Sequence, residues 1–389
     1  MTSAGKSKKK DQDIKIGKKY SIRSKVLKEE RPYWVYLPSS YNARDKTRCY
    51  PVLYLLDGDG HFQSVSGVVD FMSGASGSSQ IPELIVIAIP NTNRIRDLAP
   101  THTTTGYFGE KDDSLEPSGG GDAFLKFIRD ELFPQIDSKF HTSTIRILVG
   151  HSLGGLLAIH TLLHQPDMFY GYVAIDPSLW WDNEILTRQA ASELKTIRKL
   201  RKTLYISSAN TQELRKSRQN KMRSAIRKFV KTLGAAQTDD FRLGFQYFDA
   251  ENHASVPLLS LYHGLLHIFE GFKPAGSEGL SAMKTRFNHL SKRLGGTLLP
   301  PEGYVNSMGY TMLYLTKNVK EAIAFFKYNT DNFPKSANAY DSLGEAYMVK
   351  GDKAQAIENY KKSLKLDPNN QNAVRRIQTL QEKKRTTEA

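Results

Sequence analysis

An apolar run, Ile145-Arg-Ile-Leu-Val149, meets Gly150-His-Ser-Leu-Gly-Gly155 and then Leu156-Leu-Ala-Ile-His-Thr-Leu-Leu163. Few backbones accommodate that order. The first run suits one buried strand, the last has the apolar density of a buried helix, and the stretch between them leaves no room for a loop. A strand must therefore turn directly into a helix, with Ser152 at the apex in a strained conformation and glycines two before and two after it, where side chains would collide. The serine oxygen is then held clear of the sheet at a helix N-terminus, whose amides and dipole favour a negative oxygen. This is the layout of a nucleophile elbow.

The surrounding chain is written in compatible grammar. Trp34-Val-Tyr-Leu37, Pro51–Leu56, Leu84–Ile89, Gly171–Ile175, Leu204–Ser207 and Phe241–Phe248 read as strands, with amphipathic stretches between them. Alternation of this kind over residues 18–295 predicts a mostly parallel sheet covered by helices, with the early strands added antiparallel at one edge, and with the elbow at Ser152 the expected architecture is the α/β-hydrolase fold. Pro117-Ser-Gly-Gly-Gly121 is expected to be a loop leading into a helix over 122–134, since it lacks the Lys-Ser/Thr of a phosphate-binding loop.

A serine hydroxyl attacks an acyl carbon only if a base takes its proton, and this fold supplies Ser, then Asp or Glu, then His along the chain. His253, immediately after the last strand, is the expected base, whereas His151 is expected to point away from the nucleophile. Glu213 is the acid in reach after the Leu204–Ser207 strand and is expected to orient His253. A Ser–His dyad with a backbone or amide orienter is the other arrangement. The amides of Asp59 and Leu153 are the candidate oxyanion donors. Phe62, Trp180 and Trp181 are candidates to wall the substrate. The pairs His160/His164 and His263/His267 are read as helix packing, because neither has a third ligand at suitable spacing, so no metal and no cofactor are expected.

The last quarter changes period. Tyr340, Leu343-Gly344, Tyr347, Gly351, Ala356, Tyr360 and Pro368 fit a 34-residue tetratricopeptide unit over 337–370, and Ala322, Phe326 and Pro334 repeat its second half one unit earlier. Met308-Gly309 match Leu343-Gly344 only with a one-residue slip. The expected organisation is a basic tail over 1–17, the hydrolase domain over 18–295, a linker over 296–302, two repeats over 303–370 forming a small all-α domain, and a capping helix with tail over 371–389. Two repeats fall short of the usual stable stack, which points to support from the hydrolase domain or to a protein partner.

Charge narrows the substrate. The net charge of +15 is concentrated in lysines and arginines of residues 184–231, a field that draws anions, whether a negatively charged substrate, an anionic lipid surface or nucleic acid, unless it is a solvated helix face. No aromatic stacking platform accompanies it, so nucleic acid is not expected. The single cysteine, Cys49, forms no intrachain disulfide, and no apolar run reaches the length of a membrane span. The charged N-terminus lacks a secretory h-region, so a soluble, cytoplasmic chain is expected, or a periplasmic one had a signal been removed.

Tyr54-Leu-Leu-Asp-Gly58, Arg96-Asp97-Leu98-x-Pro100, Gly150-His-Ser-Leu-Gly-Gly155, Asp176-Pro-Ser-Leu-Trp-Trp181 and Asn252-His-Ala-Ser255, in this order, resemble the esterase family that includes trilactone-siderophore esterases. The resemblance covers residues 18–272. It implies a serine carboxylic-ester hydrolase acting through an acyl-enzyme on Ser152, with His253 as base, on a small-molecule ester of siderophore or other anionic type. Ser208-Ala209-Asn210 departs from the family's glycine-containing turn and weakens the assignment of Glu213. The alternative of another class is a non-catalytic scaffold whose repeats bind partners.

Overall fold

The computed structural model describes residues 13–75, 79–210, 221–276 and 278–385. The chain forms two compact units, the first made of described residues 13–75 and 83–268 and the second of 79–82 and the chain from Phe269 onward.

Among the described residues, the first unit is built on eight strands: β1 (Lys18–Arg23), β2 (Glu30–Tyr36), β3 (Tyr50–Leu55), β4 (Ile85–Ala88), β5 (Thr142–His151), β6 (Gly171–Ile175), β7 (Lys202–Ala209) and β8 (Phe241–Phe248). Their spatial order is β1-β2-β4-β3-β5-β6-β7-β8. The β1–β2 and β2–β4 pairs are antiparallel and every later pair is parallel. Burial follows position. Strands β3, β4, β6 and β7 are buried at every residue, as central parallel strands covered on both faces must be, whereas β1 at the edge alternates toward solvent.

Among the described residues, nine helices flank the sheet: α1 (Gly58–Asp70), α2 (Arg94–Leu98), α3 (Gly121–Phe127), α4 (Phe133–Lys139), α5 (Leu153–His164), α6 (Trp181–Ser192), α7 (Leu194–Ile197), α8 (Lys221–Gly234) and α9 (Pro257–Ile268). The helix expected over 122–134 continues to Lys139, because a π-helical turn over Ile128–Leu132 joins α3 to α4. Pro134 explains the turn. It has no N–H to give and its ring would strike the carbonyl four residues back, so the chain widens there instead of stopping.

The second unit holds α10 (Leu280–Leu294), α11 (Glu302–Tyr310), α12 (Val319–Asn332), α13 (Ala337–Lys350), α14 (Lys353–Leu366) and α15 (Gln371–Arg385). Helix α10 groups with these helices and not with the sheet, which moves the division from residue 295 to Phe269. Phe287 of α10 packs edge-on against Phe272, and the Leu280 amide at its start donates to Glu321 of α12. Helices α12, α13 and α14 are each opened by a side-chain cap, Asn318, Ser336 and Asp352 respectively. Gly344 lies where a Cβ would press on Tyr360, and Gly309 holds the same place against Phe326. The first interval is 16 residues and the second 17. A π-helical turn over Thr311–Leu315 absorbs the extra residue, so the slip in the sequence repeat is a local widening of one helix and not a loss of the repeat. Among the described residues no helix is long and apolar enough to cross a membrane.

Candidate active site

Strand β5 ends at His151 and α5 begins at Leu153, leaving Ser152 alone at the apex with φ 59° and ψ −114°. A Cβ on Gly150 would overlap the backbone of Gly154, so the close approach of strand and helix requires glycine there. The Ser152 amide donates to the Ile175 carbonyl at 3.0 Å, and its carbonyl accepts from the Ser178 amide at 3.0 Å. The elbow is thus clamped to the residues that leave β6.

Those residues carry an acid. Asp176, fully buried and at φ 38°, accepts from His253 Nδ1 through Oδ2 at 2.6 Å. Its other oxygen accepts the Ala209 amide at 3.1 Å, and its own amide donates to the Ser207 carbonyl at 3.1 Å. The end of β7, after which the sequence places the orienting acid, holds Asp176 through the Ala209 amide. Asn210 in turn donates to Asp249 and Glu251 carbonyls, fixing the loop that carries His253. Glu213 lies outside the described residues. The partner of His253 was missed because both carboxylates satisfy the Ser–acid–His order. The signal that would have found it is the position of Asp176 at the carboxyl end of the strand beside the nucleophile's own.

The Ser152 hydroxyl lies 3.2 Å from that of Ser178. His151, expected to point away from the site, has its ring 4.4 Å from that of His253, centroid to centroid, and 5.8 Å from that of His61. Burial, with the neighbouring His253 and His61, pushes its pKa down to about 4, against weaker opposing pulls from Asp176 and Asp57. It is therefore neutral wherever the enzyme is folded at ordinary pH. Between about pH 6.5 and 4 the unfolded chain takes up a proton that folded His151 refuses, so stability present above pH 6.5 is lost as pH falls. The loss amounts to roughly 3 kcal/mol at its limit. Urea titrations of wild type and His151→Phe across that range should diverge in slope, and parallel curves would remove His151 as the cause.

Asp57, with φ 53°, begins α1 and takes Arg94 through both oxygens, at 2.7 and 3.0 Å, and Asn91 at 2.7 Å. Asn91 also donates, through its amide and its side chain, to the Asp59 carboxylate. The Asp59 and Leu153 amides stand in the first turns of α1 and α5, where an N–H has no acceptor within its own helix.

The aromatic candidates separate. Trp180 is half-buried, with Tyr107 edge-on at 5.0 Å. Trp181 is buried and donates from Nε1 to Thr101, so it is packing and not a wall. Phe62 meets Trp34 of β2 at 5.7 Å. The basic stretch is partly consumed locally: Lys228 pairs with Glu184 at 2.7 Å, Arg201 with Asp240 at 3.4 Å, and Lys202 is buried against Tyr170. His160 and His164 bond Asp122 and Gln189.

Residues 24–233 match the family described as Putative esterase. The chain belongs to that family. Residues 337–370 match the tetratricopeptide repeat. Among curated relatives, the ferri-bacillibactin esterase BesA of Bacillus subtilis is 26% identical over 238 residues, covering 59% of this chain and 81% of its own. The siderophore triacetylfusarinine C esterase of Aspergillus fumigatus is 28% identical over 157 residues, covering 38% and 50%. An IroE-like serine hydrolase from Shewanella oneidensis superposes with a TM-score of 0.70 at 30% identity, covering 79% of this chain and 98% of that one. The esterase is thus an ester-hydrolysing enzyme whose chain continues into a helical-repeat segment, and the α/β-hydrolase fold expected from the elbow is the one observed.

Proposed function

We propose that this esterase cleaves a carboxylic ester through an acyl-enzyme on Ser152, with His253 as general base and Asp176 as the acid that orients it. The 2.6 Å bond from His253 Nδ1 to buried Asp176 carries the reading, because it fixes the tautomer that leaves Nε2 free to take the serine proton. Attack places negative charge on the carbonyl oxygen, for which the Asp59 and Leu153 amides are the donors. Collapse expels the alcohol with the proton from His253, and water repeats the sequence to release the acid. Trapping tests this directly: after a p-nitrophenyl ester pulse and acid quench, the acyl group should reside on the peptide containing Ser152, and acyl label elsewhere would end the proposal.

For the substrate, the names of the relatives and the basic composition together favour a siderophore-type, anionic ester. The positive charge left over from local pairing on the 184–231 stretch acts at a distance, within about 8 Å at physiological salt. The kcat/KM for a ferric catecholate lactone should therefore fall steeply from low to physiological salt while that for a neutral acetate ester holds. Equal salt dependence would leave a general carboxylesterase. The tetratricopeptide helices are proposed to hold a protein partner, the usual role of a stacked helical repeat surface.

A further inference from the structure

Ser178 has no part in the triad, yet its hydroxyl faces the reacting atom. The residue is 2% exposed, and among the described residues the partner of its Oγ is the nucleophile itself, at 3.2 Å. Its backbone is pinned at both ends, the amide donating to the Ser152 carbonyl and the carbonyl accepting from the Trp181 amide, each at 3.0 Å. The hydroxyl is therefore presented to Ser152 Oγ by the same β6 exit that delivers Asp176.

Resting on the acyl-enzyme reading above, we propose that Ser178 is a catalytic hydrogen-bond donor to Ser152 Oγ that assists deacylation. The direction of the bond follows from proton count. For attack, the hydrogen of Ser152 must lie toward His253, so the hydrogen between the two hydroxyls is that of Ser178. In the acyl-enzyme, Ser152 Oγ is an ester oxygen with no hydrogen and can only accept. Water then adds to the acyl carbon as His253 takes its proton. When the tetrahedral intermediate collapses, the bond from that carbon to Ser152 Oγ breaks and its electron pair goes to Oγ. The Ser178 hydrogen bond strengthens as that charge grows, and His253 returns the proton to Oγ. Ser178 ends as it began, neutral and protonated. An interaction that strengthens only as the bond breaks accelerates that step without tightening ground-state binding. During acylation the same donor draws on the attacking lone pair, so its removal does not slow the first step.

The test follows the lifetime of acetyl-Ser152 by mass spectrometry after a pulse of p-nitrophenyl acetate, in wild type, Ser178→Ala and Ser178→Cys, with thermal melting of each. Ser178→Ala should lengthen the lifetime about ten- to a hundredfold, the range for a hydrogen bond to a charged group. It should also lower kcat and KM together and convert steady turnover into a burst of nitrophenol. Ser178→Cys, nearly isosteric but a weaker donor, should fall between, and it decides the matter if the alanine variant does not fold. Lifetimes within twofold of wild type in a folded variant overturn the proposal. A wild-type enzyme that never acquires acetyl on Ser152 overturns the acyl-enzyme reading itself, a result that equal lifetimes cannot mimic.

Discussion

Replacing Ser152 with alanine is expected to lower kcat by about 10⁶, to the level supported by substrate binding and oxyanion stabilisation alone. The substitution removes one oxygen from a half-buried apex and introduces no atom, so the elbow has no steric reason to rearrange. The backbone bonds that clamp the apex, to Ile175 and Ser178, survive the change. The variant should melt with wild type and still bind substrate, with hydrolysis of p-nitrophenyl acetate reduced to the small residue that binding and the oxyanion donors supply over buffer. Residual turnover within a hundredfold of wild type would mean that the nucleophile is elsewhere, since nothing else at the apex can form the acyl bond.

The second large effect concerns the acid. Asp176→Asn should cost about 10⁴ in kcat with KM little changed, because an amide can donate to His253 Nδ1 and so selects the tautomer whose Nε2 carries a hydrogen. The variant keeps the shape of the side chain and one oxygen for the Ala209 amide, so loss of fold is not the expected cause. Glu213→Gln provides the contrast. Nδ1 of His253 has one hydrogen and it is committed to Asp176, so neutralising Glu213 should change kcat by less than about threefold. Reversal of the two results, with Glu213 indispensable and Asp176 dispensable, would assign the acid to the loop after β7.

Much of this was readable from residues alone because the elbow is a local object. The strand, the turn and the helix at 145–163 are contiguous, and glycine at 150 has a single steric reason. The acid is different in kind. Asp176 becomes a partner of His253 only once β6 lies beside β5 and the loop after β8 folds over the end of β7, facts of topology that no spacing encodes. His151 shows the same limit, since only the placement of the base brings its ring to 4.4 Å. The π-helical turns at 128–132 and 311–315 lie between: Pro134 and the one-residue slip in the repeat each mark an irregularity, but whether the chain breaks or widens is settled by the packing of the helix that follows.

The sheet order also distributes risk unevenly across the site. Ser152 and Asp176 rise from β5 and β6, strands with a neighbour on each side, whereas His253 hangs from β8, the edge strand, whose partner in the sheet is β7. Edge strands are the first to lose protection when a sheet opens. Mild denaturant should therefore yield a species that has shed its base while the elbow stands, able to hold a substrate and unable to turn it over. A preparation stored under such stress would pass every test of ligand capture and fail only the assay for product.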